Sequence, residues 1–279
     1  MTKIHIVTDS TADLTSAQIE QYSIHVVPLN IQIDGKSYID GVDVKAEPFL
    51  EMMKTAKELP KSSQPAVGVF QELYDDLGKN GDKIISIHMT GGMSGTVKSA
   101  QAAAGITNSD VTVIDSRFIS YALSFQVIEA AQLAEQGTAV EDIVKQLDNV
   151  REKTKLFVVV DTLENLVKGG RIGKGKALIG SLLSIKPIAS LKGGEYTPVH
   201  KARSHKQVVQ YLFKQYIEDT VGKTVKYVGL SQANGFAMSE PLKKLIEDSG
   251  FNDVKVAFTT PVISTHTGPG AIGFMYTVE

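Results

Sequence analysis

The residues of this chain that can do chemistry lie in four polar segments and two basic runs. Thr8-Asp9-Ser10-Thr11-Ala12-Asp13 follows an apolar run. Carboxylates and hydroxyls in such a place cap a helix or meet a ligand, and capping by Asp9, Ser10 or Asp13 is the ordinary reading. Ser62-Ser63-Gln64-Pro65 holds two adjacent hydroxyls on a proline turn, able to donate to an anion or to cap the next helix. Thr90-Gly91-Gly92-Met93-Ser94-Gly95-Thr96 combines glycines, which admit a ligand close to the backbone, with hydroxyls and the amides of a helix start. That combination suits an anion, and a tight strand-to-helix turn is the plain alternative. It is not a nucleophile elbow, because Thr96 stands where the glycine after the serine is required. Nor is it a Walker loop, since no lysine follows the glycines.

Ser264-Thr265-His266-Thr267-Gly268-Pro269-Gly270 sets a histidine in a loop defined by Gly and Pro, where an imidazole serves a ligand as readily as a structural hydrogen bond. The run Lys168–Lys176 carries Lys168, Arg171, Lys174 and Lys176. It reads as a solvated loop or as a contact for phosphate, a partner or an anionic membrane, with Arg171 the best bidentate ligand. Lys201-Ala202-Arg203-Ser204-His205-Lys206 shares that ambiguity. The other histidines show no metal-ligand spacing, so no metal is expected.

These segments are spaced by strand and helix patterns. Lys3–Thr8, His25–Ile33, Lys83–Met89 and Val111–Asp115 read as strands, the second closed by an Asp34-Gly35 turn. Leu14–Tyr22, Pro48–Lys57, Val67–Leu77 and Thr96–Ala104 read as helices between them. Strands joined by helical crossovers predict an α/β fold with a mostly parallel, doubly wound N-terminal sheet. Two helices, Ser120–Gln136 and Val140–Glu152, follow without a strand between and mark a candidate hinge. Beyond it, Leu156–Val160, Ile185–Leu191, Tyr196–His200, Val225–Ser231, Val254–Thr259 and Ile272–Val278 read as strands, with Ser204–Asp219 and Ser239–Asp248 helical. A hairpin around Gly193-Gly194 among crossovers implies a mixed sheet. Two α/β domains are therefore expected, residues 1–152 and 153–279.

Composition narrows the classes. Hydrophobic residues make up 42% of 279 and charged residues 22%, enough for a substantial core without a metal or disulfide. With no cysteine, neither a Cys-ligated zinc nor a disulfide framework can form. A formal net charge of −2 argues against a general nucleic-acid binder. The apolar run at the N-terminus meets Asp9 too soon for a signal peptide, and no stretch approaches the ~18 apolar residues of a membrane helix. A soluble, cytoplasmic protein is expected.

In order along the chain, Ile6-Val7-Thr8-Asp9-Ser10-Thr11-Ala12-Asp13-Leu14, Ser62-Ser63-Gln64-Pro65, Met93-Ser94-Gly95-Thr96, Gly169-Gly170-Arg171-Ile172 and His266-Thr267-Gly268-Pro269-Gly270 resemble the DegV family of bacterial fatty-acid-binding proteins. No single piece is specific; the ordered set of five is. The resemblance implies two α/β domains around one long-chain fatty acid, its carboxylate between the domains and its tail in an apolar tunnel. It also implies a carrier that presents the acid to a fatty acid kinase catalytic subunit. That partner phosphorylates it with ATP, and the acyl phosphate enters phospholipid synthesis. By position, Ser62, Ser94 with Gly95, and His266 match carboxylate contacts, while Ser63, Arg171 and Arg203 match head-group surroundings or partner contact. An acyltransferase and a transient anionic membrane surface are further partner candidates. No cofactor, no catalytic residue of its own and no nucleic acid are implied. Two other classes stay open on the residues alone: a serine hydrolase using Ser94 and His266, and a sugar-phosphate or nucleotide binder using the Gly91–Thr96 turn and the Lys168–Lys176 loop.

Overall fold

The alternation in the first half produces β1 (Ile4–Asp9), α1 (Ser16–Gln21), β2 (His25–Val27) and the hairpin β3 (Asn30–Ile33) and β4 (Lys36–Ile39). Then come α2 (Ala46–Thr55), β5 (Lys61–Ser63), α3 (Val67–Leu77), β6 (Lys83–His88), α4 (Thr96–Ala104) and β7 (Asp110–Asp115). The helix pair α5 (Ser120–Glu135) and α6 (Val140–Lys153) leads to β8 (Thr154–Val159) and α7 (Glu164–Lys168), followed by a 3-10 turn over Gly173–Leu178. The chain closes with β9 (Lys186–Ser190), β10 (Thr197–Ala202), α8 (His205–Thr220), β11 (Val225–Ala233), α9 (Phe236–Asp248), β12 (Val254–Phe258), α10 (Pro261–Thr267) and β13 (Ala271–Val278). This computed structural model describes residues 2–178 and 185–279.

Three sheets result among the described residues. One is parallel, in the order β2-β1-β6-β7, as the crossovers predict. A six-stranded mixed sheet runs β10-β9-β8-β13-β11-β12, with only β11 and β12 parallel. The third, β4-β3-β5, is antiparallel and was not expected. It corrects two readings. His25–Ile33 is not one strand: Pro28 has no N–H for a ladder, so β2 stops at Val27 and the chain enters a different sheet at Asn30. Ser62-Ser63 is not merely a break between helices, because Ile31 pairs with Ser62 and Asn30 with Ser63.

Helix α5 is apolar on nearly every side, and all residues from Ser120 to Ala131 are buried. Such a helix must be covered all round. It touches β1 and β6 on one side and β8, β11 and β13 on the other. Gly229 on β11 permits that closeness, since a Cβ there would lie 2.5 Å from the Tyr121 ring. The central core therefore joins Ile6, Ile85 and Ile87 to Leu123 and Val127 and on to Val158 and Met275. Outer cores form where α3 and α4 cover the parallel sheet through Phe70, Tyr74 and Ala100, and where α8 and α9 cover the mixed sheet through Leu212, Leu242 and Ile246.

The segment around His266 is a helix, not the expected loop. α10 spans Pro261–Thr267 and ends at Gly268, whose φ of +74° suits glycine. Seven residues rich in Val, Ile and Thr carry little helical signal; burial of all but His266 holds them.

Candidate functional site

Ser62 on β5 and His266 on α10 meet across 204 residues of sequence, Oγ to Nε2 at 2.7 Å. α10 is aimed by Asp40, which follows β4. The Val262 amide donates to Asp40 Oδ1 at 3.3 Å, and the Ser10 hydroxyl to Oδ2 at 2.6 Å. Thr260, at the helix's own cap position, makes no side-chain cap bond, so Asp40 serves that end from another part of the chain. Burial pushes Asp40 up to about 7, and the same cause raises Asp13, whose carboxylate accepts from the Ser120 hydroxyl, to about 7.

The helix-cap reading of the Thr8–Asp13 segment is corrected as well. Thr15 caps α1 in a capping box with Gln18. Asp9 instead joins strands: it accepts from the Met89 amide at 2.8 Å and the Thr11 hydroxyl at 2.6 Å, and faces His88 Nδ1 at 3.2 Å. His88 Nε2 meets Ser86 Oγ at 2.7 Å, which gives the order of a hydrolytic triad. All three side chains are fully buried and Ser86 is shared with Tyr74, so no substrate reaches them.

The Met93–Thr96 turn closes over the same place. Ser94 Oγ shares a hydrogen bond with Thr96 Oγ1 at 2.8 Å and accepts from the Thr96 amide. Gly95 packs against Gln64, where a Cβ would lie 1.9 Å from Oε1, so the two hydroxyl segments touch only because position 95 has no side chain. Arg171 is clamped by carbonyls: Nε donates to Met93 O at 3.0 Å and Nη1 to Gly169 O at 2.6 Å. Gly169 runs beneath the imidazole, a Cβ there falling 2.4 Å from His266 Nδ1. Burial, and then the neighbouring Arg171 charge, lower His266 to about 4. The imidazole is therefore neutral at pH 7, and among the described residues its buried Nδ1 has no partner.

Two spaces meet at these residues. An apolar cavity of about 40 Å³ lies between the layers, walled by Leu29, Met89, Met93, Ile119, Leu191 and Tyr196. A smaller one of about 20 Å³ continues it through the shared walls Ile119, Val158 and Ile263. On the other side an open cleft of about 740 Å³ is lined by Lys57, Lys61 and Lys168. Ser62, Arg171 and His266 line both the cavity and the cleft, and Ser94 lines the cavity.

The structure thus brings together Ser62, Ser94, Gly95, Arg171 and His266. Ser63 and Arg203 are exposed and line neither space. The pairing required of a hydrolase is not made: Ser94 bonds Thr96, His266 bonds Ser62, and among the described residues no carboxylate orients Nδ1. Among the described residues no cluster could hold a metal, and no helix is long and apolar enough to cross a membrane. Sequence reasoning missed Asp40, an isolated acid, and the cavity walls, which carry no motif.

Residues 3–279 match the model of the uncharacterised DegV family proteins. The chain belongs to the DegV family. DegV domain-containing protein SA1258 of Staphylococcus aureus (strain N315) is 44% identical over 276 residues, 99% of each chain. Among solved structures, a fatty-acid-binding DegV family protein from Thermus thermophilus superposes with a TM-score of 0.94 at 30% identity, covering 99% of this chain and all of the other. DegV of Bacillus subtilis, a fatty acid binding protein, gives 0.90 at 34%, with complete coverage of both. Both share the parallel and mixed sheets described above.

Proposed function

We propose that this DegV protein is a carrier for one long-chain fatty acid and presents the acid's carboxylate to a partner kinase. The observation that carries this is the polar seam of Ser62, His266 and Arg171 between an apolar cavity and an open, lysine-lined cleft. A molecule with an acidic head and an apolar tail matches that sequence of environments, and the fatty-acid-binding relatives support the choice.

In this reading the tail enters the cavity and the head stays at the seam, between the units 1–152 and 153–279. A buried carboxylate needs donors, and Ser62, Ser94 and the Gly95 backbone supply them. The anion replaces Ser62 as a partner for the imidazole and draws its pKa upward. Ligand cavities commonly span about 300–1,000 Å³, so the layers must part to admit a tail. Fifteen methylenes at ~0.8 kcal/mol each provide a gross ~12 kcal/mol against that cost and the cost of association.

The cleft leaves the carboxylate approachable from one side. A kinase catalytic subunit bringing ATP and metal would place the γ-phosphoryl group there, and the carboxylate oxygen attacks it to give acyl phosphate and ADP. The acyl phosphate is then available for phospholipid synthesis. Arg171 steadies the head group, and Ser63 and Arg203, both exposed, would be available to the partner; the carrier itself does no chemistry and works in the cytoplasm.

Native mass spectrometry of the purified protein, followed by solvent extraction and lipid identification, tests the binding step. One stoichiometric fatty acid is expected. A protein that is empty and takes up no added fatty acid would sink the proposal.

A further inference from the structure

Away from the seam two polar side chains line the larger cavity: Thr267, whose hydroxyl donates to the Ile263 carbonyl at 3.1 Å, and Tyr196. Tyr196 is 1% exposed, and among the described residues its buried hydroxyl has no hydrogen-bond partner. The residue is fixed by everything except that hydroxyl. Its carbonyl accepts from the Lys174 amide at 3.0 Å, and its ring lies on Gly175, where a Cβ would stand 3.0 Å from ring carbons. Tyr196 belongs to the central apolar core and not to the lysine-lined cleft. Burial alone raises its phenol; no neighbouring charge acts on it, whereas Arg171 does act on His266. Of the cavity and the cleft, Tyr196 lines only the cavity. An unpaired buried donor is unfavourable where phenylalanine would fill the same space at no such cost.

We propose that Tyr196 sets acyl-chain specificity, its hydroxyl donating to an acceptor on the chain beyond the carboxylate. The proposal rests on the fatty-acid reading and adds a ligand class to it. An oxygen substituent is a full acceptor, and the π face of a cis double bond a weaker one. Chains with either are favoured over saturated chains of equal length, which leave the phenol unpaired.

The test is competition binding to delipidated wild-type protein and Tyr196→Phe. The probes are stearate, oleate and ketostearates with the oxygen at successive mid-chain positions. Wild type is expected to prefer at least one ketostearate to stearate by roughly 3- to 10-fold, and oleate by less, with the preference gone in Tyr196→Phe. The variant without ligand is expected to melt no lower than wild type, since it loses only an unpaired hydroxyl. Equal ratios in the two proteins overturn the proposal. An equal loss for all three acids overturns it too, because the hydroxyl would then serve the head group. Binding of no acid by wild type would instead overturn the fatty-acid reading beneath it.

Discussion

Gly169→Ala separates the head-group site from mere folding. The backbone at position 169 has φ −74°, which alanine adopts freely. The new Cβ, however, would lie 2.4 Å from His266 Nδ1 and 2.9 Å from the Asn165 carbonyl oxygen. Ordinary contact begins at 3.4 Å, so the imidazole has to move by about 1 Å. A shift of that size disrupts the 2.7 Å Ser62–His266 bond. Overpacking of this kind destabilises by ~1–3 kcal/mol. Loss of one charge-assisted bond to the carboxylate removes a further ~1.5–3 kcal/mol of binding, a roughly 10- to 150-fold weaker Kd. Gly170→Ala is the control. Its φ is +73° with nothing within 4 Å, so alanine there costs ~1–2 kcal/mol of backbone strain without touching the site. Titration calorimetry of a long-chain fatty acid into both delipidated variants, with melting curves to confirm folding, reads the difference. A folded Gly169→Ala that binds as tightly as Gly170→Ala would refute the assignment of His266 to the carboxylate.

Ser62→Ala leaves His266 without a partner on either nitrogen and is expected to weaken fatty-acid binding about 10-fold; Ser94→Ala is expected to lose ~1.5–3 kcal/mol. Unchanged retention and kinase-coupled turnover in Ser94→Ala would remove that residue from the site. The imidazole resonances of His266 should titrate near 4 without ligand and shift upward when a carboxylate is bound, as NMR would detect; an unmoved value contradicts the contact. Stability should fall between pH 5 and pH 8. Asp13 and Asp40 have folded values raised from 3.8 to about 7, so their contribution is whole below 3.8 and is lost as pH rises through 7, at most ~4 kcal/mol each. His266, lowered to about 4, and half-buried His25, lowered by burial, have the opposite sign, their contributions present above 6.5 and lost as pH falls, so they offset part of the carboxylates' effect below that pH. Urea unfolding of Asp40→Asn at both pH values should show a flatter dependence, and an identical slope would refute the role of burial.

Elements with strong local periodicity, and the order of the hydroxyl, glycine and histidine motifs, are legible in the amino-acid sequence. Val67–Leu77 and Thr96–Ala104 form helices over the expected residues because their patterns are carried by neighbours three and four apart. The parallel order of the first sheet follows from its helical crossovers, and membership of the DegV family from motifs spread along the chain. Features that depend on contacts between distant residues are set by the packed chain. α10 exists because burial outweighs the weak propensity of its Val, Ile and Thr, and its aim comes from Asp40, 222 residues away from Val262. β5 became a strand when β3 offered it a partner. Ser62 and His266, each ambiguous alone, acquire a common meaning at 2.7 Å, and burial beside Arg171 makes the imidazole neutral. Desolvation and packing are properties of a site's surroundings, and those surroundings are assembled from segments that no local pattern relates.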